Sequence, residues 1–178
     1  PYVDGDKIGV EGFSFGGTMT SMLLMQAPEK FHYGIAGGGV YDWALYDSHY
    51  TERYMDTPQN NPEGYEVAKV LNYVKGYPTE YVTETVQTSE AYTYASAERA
   101  AQFRCCAIEP VMLKLTHGTG DDNVHHQNTL QLLDALHREG KKFDFMIYPD
   151  GMHGYRGYQG NHFQNANNEF WLKYLKSE

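Results

Sequence analysis

Four short apolar runs alternate with helical patterns along this chain. The runs are Lys7–Phe13, Tyr33–Ala36, Pro110–Leu115 and Lys142–Tyr148, each of strand length and most of them bounded by glycine or proline. Phe15–Gln26 follows the first, with Met19, Met22, Leu23 and Met25 inside it and Pro28 beyond its end. Asn128–Glu139 follows the third, with Leu130, Leu133 and Leu136 at helical spacing and Gly140 as its stop. A last helix over His162–Lys176 follows the fourth and carries Phe163, Phe170 and Tyr174 on one stripe. Strands that alternate with helices imply an α/β fold, a mostly parallel sheet covered by helices on both faces. In such sheets ligands and chemistry gather at the carboxyl ends of the strands.

The middle of the chain is less periodic. Tyr46, Tyr50 and Tyr54 recur at i, i+4 and i+8, which predicts three rings on one helical face. "TPQNNPEG" reads as a turn-rich break, "KGYPTEYVTETVQTSE" as loop, and the Ala-rich stretch Glu90–Phe103 as helix. At 178 residues the chain is expected to form one domain with a core of its own. Its net charge of −9 argues against a nucleic-acid partner, which would require a basic face. No stretch reaches the ~18 apolar residues of a membrane span. Cys105 and Cys106 are neighbours, poorly placed to bond one another, and read as free thiols beside a strand. The chain opens on Pro1, without an initiator methionine or a signal peptide, so it is expected to be a fragment or a processed piece.

Chemistry concentrates at the strand ends. Gly12-Phe13-Ser14-Phe15-Gly16 fits G-x-S-x-G between a strand and a helix, although a plain glycine-rich turn has the same composition. A serine on such a turn is exposed to a base, and the backbone amide of Phe15 at the helix start would be one oxyanion donor. A serine nucleophile needs a base, and the base needs an orienting acid. Asp121 and Asp122 follow the third strand and His153 follows the fourth, which puts them at the same sheet end as Ser14. His117 is expected to hydrogen-bond locally, His125 and His126 to be solvated, and His162 to cap the last helix. Asp150 is too near His153 in sequence to span the site. His117, His125 and His126 lack metal-ligand spacing, so no metal and no cofactor is expected.

"YVDGDKIGVEGFSFGG", "WALYDSHYTERYM", "HGTGDDNVHHQ" and "DGMHG" together resemble the dipeptidyl peptidase IV-like catalytic domains of the prolyl oligopeptidase family. The resemblance covers most of the chain except roughly Glu66 to Arg104. It implies an α/β-hydrolase fold and a serine peptidase with Ser14 as nucleophile, Asp121 as orienter and His153 as base. It assigns Asn123 to the substrate carbonyl before proline, and Val40, Trp43, Tyr46, Tyr50 and Val124 to the pocket for the proline ring. Without it, those aromatic residues read as ordinary core. The implied substrates are peptides with penultimate Pro or Ala.

Two departures stand out. Relatives often carry Tyr where this chain has Phe15, a change that leaves the backbone amide in place. Residues 66–104 are expected to be an insertion, serving as a lid or an interface. The resemblance further implies that residues 1–178 are the C-terminal portion of the catalytic domain, in a periplasmic or secreted protein. The missing parts would include an N-terminal β-propeller, the first strands of the hydrolase sheet and a tyrosine that is the second oxyanion donor. The nucleophile strand would then be an open edge, and a homodimer is expected. Rival expectations are another α/β-hydrolase such as an esterase, or a fragment inactive by truncation that serves only in association.

Overall fold

The computed structural model describes residues 4, 5, 7–80 and 111–176. Four parallel strands form one sheet in the order β1 (Gly9–Phe13), β2 (Tyr33–Gly37), β3 (Met112–Gly118) and β4 (Asp144–Tyr148). The inner strands β2 and β3 are buried at every position, as strands covered on both faces must be. The edge strands β1 and β4 are partly exposed.

The period-2 alternation of the strands distributes side chains between two helical layers. Ala36, Leu113 and Leu115 face α1 (Phe15–Gln26) and α4 (Gln127–Arg138), where Leu24, Met25, Leu132 and Leu136 complete the main core. Tyr33, Ile35 and Met112 point the other way, onto Phe170 and Tyr174 of α5 (Gly157–Leu175). Glu11 of β1 shares that face and accepts from Asn167 Nδ2 at 2.9 Å and Trp171 Nε1 at 3.1 Å. The parallel sheet with helices on both faces is consistent with the expected α/β-hydrolase fold.

Boundaries depart from the sequence expectation in three places. β3 starts later and runs further, over Met112–Gly118, while His117 lies at its end and hydrogen-bonds locally to Val124 and Thr129, as expected. α5 begins at Gly157, which puts His162 inside the helix. It pairs with the Tyr148 hydroxyl at 3.2 Å instead of capping. The tyrosine run is not one helix. A 3₁₀ turn covers Trp43–Leu45, and α2 (Ser48–Met55) starts only after Asp47, whose carboxylate accepts from Tyr50 N at 2.8 Å. Tyr46 therefore precedes the helix that carries Tyr50 and Tyr54.

The break expected over "TPQNNPEG" contains a helix start. Asn61 caps Gly64 N and Pro62 opens α3 (Pro62–Ala68), where its missing N–H costs nothing. Residues 66–80, expected as the beginning of an insertion, contribute to the core. Val70, Val74 and Tyr77 of and beside the 3₁₀ stretch Val70–Gly76 are buried against Leu24 and Leu113. The remainder of that insertion, the expected helix over Glu90–Phe103, and Cys105 and Cys106 lie outside the described residues. Among the described residues no helix is long and apolar enough to cross a membrane.

Candidate active site

The turn from β1 into α1 explains the G-x-S-x-G spacing. Ser14 has φ 59° and ψ −123°, a conformation rarely adopted by a residue with a side chain. Its amide donates to Gly37 O at 2.8 Å, which anchors the turn to β2. The reversal folds Gly12 onto Gly16, so that a Cβ on Gly12 would lie 2.3 Å from the Gly16 carbonyl atoms. A Cβ on Gly17 would lie 2.5 Å from Gly37 O. Small residues are therefore demanded by backbone contact. The Ser14 hydroxyl makes no capping bond to α1 and turns toward the loop after β4. Phe15 is the first residue of α1, and its amide belongs to the set that has no acceptor within the helix.

Asp121 and His153 come from two loops that are laced together at the carboxyl end of the sheet. Gly120 N donates to Gly151 O at 3.0 Å, and Asp150 N donates to Thr119 Oγ1 at 2.8 Å. The contact is so close that a Cβ on Gly118 would meet Gly151 O at 2.1 Å. Asp121 is 5% exposed and its Oδ1 accepts from the amides of Asn123, at 3.0 Å, and Val124, at 2.9 Å. Its Oδ2 is 2.8 Å from His153 Nδ1, and His153 Nε2 is 2.9 Å from Ser14 Oγ. A carboxylate only accepts, so Nδ1 carries the proton and Nε2 is left to accept from the serine hydroxyl. Phe13 packs its ring against His153 at 5.2 Å and covers one side of the line. Such a chain of hydroxyl, imidazole and carboxylate can transfer a serine proton and stabilise the imidazolium that forms.

Asp122 is exposed and does not join that line, and Asp150 projects from the loop at φ 55°. His125 is exposed as expected. His126 is not solvated as expected, because its ring stacks on Phe145 at 6.5 Å and lies edge-on to His117 at 5.2 Å. Burial lowers the imidazole pKa of both His117 and His126 from the usual 6.5. Among the described residues no group of three or more His, Cys, Asp or Glu could hold a metal ion.

The aromatic residues singled out in the sequence pack together next to Phe15, and Tyr46 lines a recess with Leu45, Asn123 and His125. Trp43 and Tyr50 stack at 6.2 Å with 15° between their planes, Tyr46 meets both edge-on, and Phe15 packs on Trp43 at 6.0 Å. Val40 and Val124 are buried beneath with Trp43. The Tyr46 hydroxyl donates to Asn123 Oδ1 at 2.7 Å, and burial, with Asp47 next, raises its pKa, which keeps it a donor. Two residues given no site role in the sequence reading hold the segment 40–42 that leads to Trp43. Thr18 Oγ1 donates to Val40 O at 2.8 Å and accepts from Val40 N at 3.0 Å. Asn128 Oδ1 accepts from Tyr41 N and Asp42 N at 3.0 and 3.1 Å. Tyr65 was also missed. It packs with Val40 and Trp43, and the Asn61-Pro62 start of its helix was the available signal.

Known proteins resemble this chain over nearly its whole length. The family described as "Prolyl oligopeptidase family" matches over residues 1–89 and 67–178. The chain is 39% identical to a probable dipeptidyl-aminopeptidase B of Neurospora crassa, over 99% of this chain and 17% of that protein. It is 43% identical to a probable dipeptidyl-aminopeptidase B of Uncinocarpus reesii, over 86% of this chain and 14% of that protein. Among solved structures it resembles Porphyromonas gingivalis dipeptidyl peptidase 4 at 32% identity, with a TM-score of 0.77 over 98% of this chain and 20% of the other. The chain thus spans about a fifth or less of the relatives it matches. On these matches, the chain belongs to the prolyl oligopeptidase family.

Proposed function

We propose that this chain carries the catalytic serine, acid and base of a serine peptidase that releases dipeptides ending in Pro or Ala. The observation that carries the reading is the unbroken line from Ser14 Oγ through His153 to Asp121, with contacts of 2.9 and 2.8 Å. Ser14 Oγ attacks the peptide carbonyl as its proton passes to His153 Nε2. The carbonyl oxygen becomes an oxyanion facing the Phe15 amide. His153 then gives the proton to the leaving amine, the C–N bond breaks, and Ser14 is left acylated. Water, deprotonated by His153, releases the acid and restores the serine. Asp121 holds the imidazole in the required tautomer throughout.

The dipeptide specificity is taken from the relatives named dipeptidyl-aminopeptidase and from the recess. A proline ring is flat, apolar and rigid. In this reading Val40, Trp43, Tyr46, Tyr50 and Val124 receive the ring, and the Asn123 amide donates to the carbonyl before it. Self-association into a homodimer and a lid or interface role within residues 66–104 belong to the same reading.

The full-length protein decides the matter with an Ala-Pro aryl amide, an Ala-Leu aryl amide and a simple aryl ester. Preferential cleavage of Ala-Pro, abolished by Ser14→Ala, is expected. Ester cleavage without amide cleavage would replace the peptidase by an esterase.

A further inference from the structure

His117 is fully buried near the end of β3, and no step of the proposed reaction uses it. Both of its ring nitrogens are engaged. Nε2 is 2.8 Å from Val124 O and Nδ1 is 2.6 Å from Thr129 Oγ1. A carbonyl oxygen can only accept, so Nε2 carries a proton and directs it at Val124. Burial opposes the charged form more strongly than Val124 and Asp121 favour it, and the neighbouring His126 opposes it too. The cation is therefore disfavoured, and in the neutral ring Nδ1 accepts from the Thr129 hydroxyl.

The consequence falls on the catalytic acid. The carbonyl of Val124 accepts from His117, while the amide of Val124 donates to Asp121 Oδ1 at 2.9 Å. His117 Nε2 also lies 3.2 Å from Asp121 Oδ2, the oxygen that meets His153. A cation there would compete with His153 for the carboxylate, whereas a neutral donor orients the loop without taking its charge. We propose that His117 is a positioning residue. Through the Val124 peptide it sets the angle at which Asp121 meets His153, with Thr129 fixing its tautomer.

This inference rests on the peptidase reading for the reaction but can be tested apart from it. A fluorophosphonate reagent phosphonylates the serine without needing a proline side chain in the substrate pocket. Ser14 Oγ attacks phosphorus, fluoride leaves, and the serine proton passes to His153. In the full-length protein His117→Leu is expected to slow labelling of Ser14 by about 10- to 100-fold, the scale of a small misplacement in an active site. Peptide turnover should show a lowered kcat with KM unchanged. His117→Gln, whose amide reaches the position of Nε2 and can donate to Val124 O, should recover most of the labelling rate. His117→Asn, too short to reach, should not. A folded His117→Leu that labels like wild type overturns the proposal. If His117→Leu fails to fold, the Gln and Asn variants decide, and equal rates for the two overturn it. Absent labelling of the wild type overturns it too. If labelling follows the expected ranking while no prolyl peptide is cleaved, the positioning role stands and the substrate assignment falls.

Discussion

At Gly12 and Gly16 the same residue type answers to different demands. A methyl on Gly12 would lie 2.3 Å from backbone atoms of Gly16, whereas a methyl on Gly16 would meet nothing within 4 Å. Gly12→Ala is therefore expected to destabilise the protein by about 1–3 kcal/mol or more and to abolish turnover by distorting the Ser14 turn. Gly16→Ala, inside α1, should be neutral or stabilise by about 0.5–1 kcal/mol, because alanine loses less backbone freedom in a helix. Denaturant titration of the two variants separates these outcomes. In the recess, Tyr46 contributes two ring contacts and the hydroxyl that meets Asn123. Tyr46→Ala should lower kcat/KM for a proline substrate about tenfold while leaving the Ala-Leu substrate almost unaffected. Equal losses on both substrates would show that these rings serve stability alone.

The elements that carry the site are joined by buried polar contacts. Asn128 of α4 accepts from two consecutive amides of the loop that leads to Trp43, and Thr18 of α1 clamps Val40 in the same loop. Asn128→Leu strands two buried amides and should cost at least about 2 kcal/mol. The denaturation midpoint should fall with an unchanged slope, and turnover of proline substrates should fall more than fluorophosphonate labelling. These contacts also mark the limit of what the sequence discloses. β1, α1, β4 and the three residues Ser14, Asp121 and His153 were legible, because short apolar runs end in glycine-rich turns and each candidate follows a strand. The tyrosine run was misread as one helix because its 3.6-residue spacing persists across Asp47, whose side chain caps a helix that starts later. Asn128 acts through partners that neither local periodicity nor a motif encodes. Those partners lie 86 and 87 residues away.

Over the whole molecule, burial of His117 and His126 couples stability to pH. Both imidazoles have pKa values lowered from the usual 6.5, chiefly by burial, while Asp121 opposes the shift at each and His126 adds to it at His117. The unfolded chain takes up protons near pH 6.5 that the folded chain refuses. Stability from this source is thus full above pH 6.5 and is lost as pH falls from there toward the lowered folded values. Unfolding free energies measured from pH 8 to pH 5 should decline below about pH 6.5, and the decline should be shallower in His117→Gln. The same architecture brings three strand ends together and sets Ser14, His153 and Asp121 in one hydrogen-bonded line. The proposed reaction uses them as one unit, and such a unit does not lose function additively. The decisive measurement is turnover of an Ala-Pro aryl amide by the full-length protein and by Ser14→Ala, His153→Ala and the double variant. Each single change should cost about 10⁶-fold in kcat, and the double variant should be no worse than either alone. Turnover that survives Ser14→Ala, or losses that multiply in the double variant, would contradict the assignment.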